Sequence, residues 1–443
     1  MLSSVAQADT NLDRLVKRRW VRVVAALFAM VFVSVYEYSW TLYTPGIAKA
    51  FHYSTPNAAV IGGIFSVYVV VQAISMWLFG RYSDRHGPRM ISILGGLITG
   101  IGYIGSAFAP SIPVLYLTYG FGSIGVGIIY ATSISSALRW YTGKKRGMMV
   151  GLIDLGFGGG SFALSPLIKY IISVTSNFRD GFLYLGIAQI IIIPVMGYFF
   201  IYPPAGFRSP DEPAAEKVRK RVPKGPGDFT VGQMTRTWQW AVIYVSFFLI
   251  VGEGLAVISH LIPIGEAKGF TFAAVLAVFL FPFANGFGRF ISGTVSDYLG
   301  RPLSMMVFFF ISGFAMLGAA LIPGAPYGAL YIVLIMLAAF GWGPLFALFP
   351  PTVGDYFGTR NSGANYGFTY TAKALGGIFA GYVFSLILLR YPGTHPFVDL
   401  IPLTIASIMA FCAGILGVIL RPPKRVPLTR PAAATVQTNQ GVK

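Results

Sequence analysis

Cysteine is almost absent: the chain has one, Cys412, in 443 residues. A lone thiol excludes a disulfide framework and a cysteine metal cluster, and its place in the last apolar run marks it as packed or lipid-facing. Acids are scarce as well, 15 against 33 lysines and arginines, and charged residues make up 11% of the chain. Charge this sparse cannot cover the surface of a water-soluble protein of such length. Also missing are a Walker-type phosphate loop, a metal cluster and a nucleophile with its base, because the glycine-rich stretches lie within apolar runs. The chain therefore reads as no enzyme, with no cofactor and no metal, and ATP-driven transport would need another subunit. Residues 1–11 are polar and carry no signal-peptide pattern, and the basic cluster at 17–22 leads straight into the first apolar run.

What is present is apolar: 55% of residues, a mean hydropathy of +0.69, and runs near 20 residues along the whole chain. Runs of that length cross a bilayer as helices. The 53 glycines fit, because small residues let membrane helices approach closely. The expected class is an all-α polytopic membrane protein with twelve transmembrane helices in two pseudo-symmetric six-helix bundles. The spans fall at 22–44, 58–80, 90–108, 112–136, 148–173 and 181–202, then 238–262, 272–294, 303–322, 327–350, 363–389 and 398–420. The bundles occupy 1–202 and 237–420, joined by a cytoplasmic linker at 203–236 rich in Pro, Lys and Arg, with a cytoplasmic tail at 421–443.

A net charge of +18 would suggest a nucleic-acid partner in a soluble chain. Here the cations follow the membrane instead. With the N-terminus inside, 26 of the 33 lysines and arginines fall in cytoplasmic segments, five in outer loops and two, Arg289 and Lys373, within spans. This positive-inside bias places both termini in the cytoplasm and excludes the nucleic-acid reading.

The two halves repeat. Residues 80–89 read GRYSDRHGPR and residues 293–302 read GTVSDYLGRP, sharing G-x-x-S-D-x-x-G at an offset of 213. After the fourth span of each half, WYTGKKRGMMVG at 140–151 matches YFGTRNSGANYG at 356–367, at an offset of 216. The repeated loops suggest a latch: Asp84 can accept from a helix N-terminus across the cytoplasmic face, with Asp297 and Arg301 its counterparts in the second half. Arg85 and Arg89 are expected to pair with acids.

Five ionisable residues stand inside spans: Glu37, Asp154, Glu253, Arg289 and Lys373. A charge at mid-membrane is costly and is retained where it faces a cavity or a partner. Arg289 follows Asn285 by one turn, so both lie on one helix face, and its guanidinium can grip a carboxylate through two parallel hydrogen bonds. The two cations either line a substrate cavity or form structural ion pairs with the acids. Glu37 and Glu253 are 216 positions apart and so occupy equivalent places in spans one and seven. They read as counter-charges, as proton carriers, or as protonated acids bonded to backbone. Asp154, in DLGFGGG at 154–160, can reach a neighbour through tight packing. Tyr38, Tyr130, Trp342, Phe346, Tyr366 and Tyr370 supply aromatic faces at these levels, although such residues also pack and anchor membrane helices.

Parallel six-helix halves joined by a basic linker resemble the major facilitator superfamily, and the 80–89 stretch is close to its G-x-x-x-D-R-x-G-R-R signature, with Pro88 at one arginine position. YSWTLY at 38–43, GVGIIY at 125–130 with RWY at 139–141, ALFP at 347–350, NYGF at 365–368 and TAK at 371–373 resemble the oxalate:formate antiporters in particular. That resemblance implies that Arg289 and Lys373 bind an anionic substrate beneath a cage including Tyr38, Tyr130 and Trp342. It also marks departures. Tyr370 stands where the family has tryptophan, Phe346 where it has tyrosine, Glu37 where it has glutamine, and Gly62 where a second cage glutamine belongs. Glu253 and Asp154 replace small residues. With all five interior groups ionised the interior carries −1, a poor host for a dianion. Either some acids are protonated or the cargo is a monoanion travelling with a proton, as suits the related monocarboxylate transporters.

The reading is a secondary transporter of small organic carboxylates in a bacterial-type inner membrane, working by alternating access as a monomer. Its partners are the organic anion, protons and the bilayer. The alternative is a proton-coupled monocarboxylate symporter. A carboxylate sensor that transports nothing would need a signalling domain, for which segments of 34 and 23 residues are too short.

Overall fold

The computed structural model describes residues 15–53, 59–142, 145–204, 207, 209–210, 225–324, 326–380 and 400–424. Twelve helical segments take the places expected for the spans. They are α1 (Arg19–Tyr38, interrupted at Ser34), α2 (Ala59–His86), α3 (Arg89–Ala107), α4 (Ile112–Trp140), α5 (Arg146–Thr175) and α6 (Phe178–Tyr198). The second half follows with α7 (Trp238–Ala267), α8 (Thr271–Leu299), α9 (Arg301–Leu321), α10 (Gly328–Phe357, interrupted at Gly343), α11 (Ser362–Tyr370, then Ala372–Ile378) and α12 (Leu400–Ile419). Eleven of these are long and apolar enough to cross a membrane. The rest of the expected eleventh span, at 381–389, lies outside the described residues, as do half of the linker and most of the tail. The chain is an integral multi-pass membrane protein.

Each half closes on itself. In the first, α3 packs on α4 and α6, α2 on α4, and α1 on α5; in the second, α9 packs on α10 and α12, α8 on α10, and α7 on α12. The halves meet along two seams, α5 against α8 and α2 against α11. Glycines make both seams close. On the side of the linker, Gly80 lies against the backbone of Gly363, and Gly293 against that of Gly147, with no room for a Cβ at any of the four. These contacts are equivalent under the sequence repeat.

Most of the repeated 80–89 and 293–302 stretches, expected as loops, is helical: residues 80–86 and 293–299 are the last turns of α2 and α8. Nothing breaks either helix until Gly87 (φ +88°) and Gly300 (φ +89°), where the left-handed backbone ends it. The amides of these glycines donate to Ser83 O (2.9 Å) and Ser296 O (3.0 Å). Residues just before α7 also dock on the second half: Gly225 N donates to Asp355 O (2.8 Å) and Phe229 N to Phe357 O (2.8 Å).

Candidate functional site

Arg289 and Lys373 are fully buried, each 0% exposed, as is Asp154; Glu37 is 7% exposed. All four lie where the halves meet. Arg289 leaves α8 toward α5, and every nitrogen of its guanidinium is engaged. Nε donates to Asn285 Oδ1 (2.9 Å), Nη1 to Asp154 Oδ1 (3.2 Å) and Nη2 to Tyr38 Oη (2.9 Å). The one-turn spacing that put Asn285 and Arg289 on one face is what lets the amide steady the guanidinium. Gly158 makes the passage possible, since a Cβ there would stand 2.5 Å from Arg289 Nε and 2.6 Å from Asn285 Oδ1.

Lys373 follows the interruption of α11 at Thr371. Its Nζ donates to Glu37 Oε2 (2.5 Å), Gln72 Oε1 (3.2 Å) and Tyr370 Oη (3.2 Å), three acceptors for three protons. Glu37 Oε2 also accepts from Tyr68 Oη (2.9 Å), and Asp154 Oδ1 from Tyr130 Oη (2.6 Å). The second oxygens, Glu37 Oε1 and Asp154 Oδ2, have no hydrogen-bond partner among the described residues.

The two cations share aromatic walls. The Phe346 ring centre is 4.2 Å from the Arg289 guanidinium carbon and 5.4 Å from Lys373 Nζ; the Phe157 centre is 5.7 and 5.6 Å from them. Tyr130 meets Phe157 and Tyr370 at 5.0 and 5.1 Å, Tyr38 meets Phe157 at 6.0 Å, and Trp342 meets Phe346 at 5.8 Å. Trp342 is anchored by donating to Ile250 O (2.8 Å). The cluster thus presents two cations and a π-lined wall, a chemistry suited to a small, flat anion.

Of the sequence-based expectations, the structure gathers Arg289, Lys373, Glu37, Asp154, Asn285 and the aromatics Tyr38, Tyr130, Trp342, Phe346 and Tyr370. It leaves Glu253 out. That acid is buried inside the second half, where Oε1 accepts from Ser312 (2.9 Å) and Oε2 has no partner among the described residues. The repeat explains the difference. Position 216 before Lys373 is Phe157, so the repeat supplies no second ammonium for Glu253. Gly62 is exposed with open space around it, and the amide beside Lys373 comes from Gln72 instead, one helix stretch further along α2. Gln72, Tyr68 and Phe157 went unnoticed in the sequence. Gln72 is the repeat equivalent of Asn285, 213 positions on, and Phe157 lies one turn from Asp154, so the signals were there to read.

Toward the linker side the repeated aspartates cap helices of the opposite half. Asp84 accepts from Gly363 N (3.2 Å) and Ala364 N (2.8 Å) at the start of α11; Asp297 accepts from Gly147 N (2.9 Å) and Met148 N (2.8 Å) at the start of α5. A carboxylate at a helix N-terminus meets free amides and the positive end of the dipole. Of the arginines expected here, Arg301 completes its cap, whereas Arg85 and Arg89 do not. Arg139 pairs with Asp84 (2.5 Å), Arg301 with Asp297 (2.8 Å) and Asp355 (3.1 Å), and Arg146 with Asp355. Arg85 forms no ion pair among the described residues, because one step round a helix turns it about 100° from Asp84; it lines a cavity of about 260 Å³ with Arg81 and Trp77. Arg89 stacks on Tyr198 at 4.5 Å.

The Major Facilitator Superfamily model matches residues 15–381. The chain belongs to the major facilitator superfamily. Within it, the chain is 30% identical to the oxalate:formate antiporter of Oxalobacter formigenes over 419 residues, 94% of each chain. It is 26% identical to monocarboxylate transporter 11 of Mus musculus over 309 residues, 69% of this chain and 65% of that one. Among solved structures it resembles the superfamily's proton:xylose symporter XylE, with a TM-score of 0.68 and 16% identity, covering 93% of this chain and 98% of that chain. The superfamily's two-bundle fold is the one described above.

Proposed function

We propose that this protein is a secondary transporter of small organic carboxylates, which bind between Arg289 and Lys373 and cross as the two halves rock about the site. One observation carries the reading: two fully buried cations, one from α8 and one from α11, face the same pair of rings, Phe157 and Phe346. Tyr38, Tyr130, Trp342 and Tyr370 complete the cage, and Asn285 orients the guanidinium. A flat carboxylate fits such walls and neutralises the cations as it binds. The oxalate:formate antiporter and monocarboxylate transporter relatives support this substrate class.

Asp84 with Arg139, and Asp297 with Arg301, act in this reading as the gate on the cytoplasmic side, closed here by caps across the seam. The bundles at 1–202 and 237–420 are the rocking units and 203–236 their cytoplasmic tether; the protein lies in the inner membrane with both termini in the cytoplasm. A proton-coupled reading is favoured over plain exchange by one feature. Each cation already holds a carboxylate of the protein, so the empty cluster is neutral.

Purified protein in liposomes, offered labelled oxalate, formate or lactate, tests the assignment. Arg289→Ala and Lys373→Ala should each lower uptake by at least about tenfold, the factor a single lost ionic contact of modest strength produces. Unchanged transport in both would overturn it.

A further inference from the structure

The two ion pairs at the centre run in the same direction. Both acids, Glu37 on α1 and Asp154 on α5, belong to the first half; both cations, Lys373 on α11 and Arg289 on α8, belong to the second. Each acid has one oxygen on its cation and the other without a partner among the described residues. A substrate carboxylate would seek the same donors. Resting on the carboxylate-carrier reading, we propose that Glu37 and Asp154 are tethered stand-ins for the substrate, which let the empty carrier close and return, so that transport is net rather than obligatory exchange.

The charge balance follows from the geometry. Without these acids, an empty closed carrier would bury two uncompensated cations at the seam, and the desolvation penalty would hold it open until an anion arrived. With them, the empty closed state contains two formed ion pairs. When a substrate carboxylate takes the hydrogen bonds of Lys373, Glu37 loses its counter-charge. The site can then close over it only if Glu37 has taken a proton from water on the side of uptake while still open to that side. On release the substrate leaves as an anion, the carboxyl proton goes to water on the other side, and the Glu37–Lys373 pair reforms. Asp154 does the same for a carboxylate that takes Arg289. One proton therefore crosses with each carboxylate, one for a monoanion and two for a dianion, and the loaded site stays as neutral as the empty one.

The neighbours of both acids are consistent with this exchange of partners. Glu37 faces Lys373 and Tyr370 from α11 and Tyr68 from α2, with Tyr119 of α4 and Arg289 of α8 farther off. Asp154 faces Arg289 from α8, Tyr130 from α4 and Tyr38 from α1, with Lys373 and Tyr366 of α11 farther off. Tyr68 and Tyr130 already donate to the acids, and each hydroxyl can turn to accept from the protonated form.

The experiment compares two fluxes of labelled oxalate, formate and lactate into liposomes holding the full chain. Exchange is read with the same unlabelled anion inside and no pH gradient; net uptake is read into empty vesicles with the outside acidic. Wild-type protein should show net uptake within about tenfold of exchange, with internal acidification of one proton per formate or lactate and two per oxalate. In Glu37→Gln and Asp154→Asn the ratio of net uptake to exchange should fall at least about tenfold, whatever the absolute exchange rate. Exchange without net uptake in the wild type, anion flux without protons, or an unaltered ratio in both variants would each overturn the proposal while leaving carboxylate transport standing. No flux of any of the three anions in either mode would overturn the carboxylate reading itself. Should the variants fail to insert, the wild-type proton count decides.

Discussion

Lys373 Nζ lies 2.5 Å from Glu37 Oε2, joining residues 336 positions apart and on opposite halves of the molecule. With Arg289 and Asp154 at 3.2 Å, it makes the middle of the seam ionic, while glycine-to-backbone contacts close it toward the linker.

Removing one member of such a pair leaves the other buried without a partner, at a cost of about 3–5 kcal/mol. Lys373→Ala should therefore lower the thermal unfolding temperature in detergent. Glu37→Ala added to it should restore part of the loss, since neither charge is then stranded. Thermal melts of the four proteins of the cycle measure the coupling, and additive losses would mean that the pair contributes nothing to stability.

Arg289→Lys keeps the charge but loses the fork that reaches Asn285, Asp154 and Tyr38 together. A lysine cannot reproduce three divergent hydrogen bonds from a planar group. Uptake should fall at least about tenfold with the protein still folded. Initial rates beside a size-exclusion profile check both parts.

Gly158→Ala places a methyl group where Arg289 Nε and Asn285 Oδ1 now stand, at 2.5 and 2.6 Å. The guanidinium must shift, and overpacking of this kind costs about 1–3 kcal/mol. The expected result is a raised KM for the transported anion, read from concentration-dependent uptake. Gly62→Ala, where nothing lies within 4 Å, serves as the control and should behave as wild type.

Asp84→Asn weakens the cap on α11 and removes the counter-charge of Arg139, which holds Asp84 at 2.5 Å. Loss of a charged cap costs on the order of 1 kcal/mol, enough to raise the open fraction on that side several-fold. A cysteine introduced at the buried Thr369, in a Cys412→Ser background because Cys412 is exposed, reports the change. Its alkylation should be several-fold faster in Asp84→Asn, and an unchanged rate would mean that this cap does not hold the gate.

Much of the site was legible because membrane physics makes it so. Arg289 and Lys373 stood out since a charge inside a span is retained only for a cavity or a partner. The repeat showed that Asp84 and Asp297 are equivalent, and both do cap a helix across the seam. Gln72, Tyr68 and Phe157 escaped notice because an uncharged residue in an apolar run carries no comparable cost. Arg139, Arg146 and Asp355 escaped for another reason. They lie at helix ends among other charges, where composition does not distinguish a buried partner from a solvated one.

By itself the sequence determined the membrane class, the twelve spans, their two-fold repetition and the presence of buried cations, because hydropathy and periodicity are local properties. Which acid meets which cation was decided only by the tertiary structure. Glu37 and Glu253 are equivalent in sequence, yet one holds Lys373 and the other Ser312. Glu37 is met across the seam by an ammonium of the other half, whereas Glu253 is met within its own half by a hydroxyl, and that depends on how the helices pack.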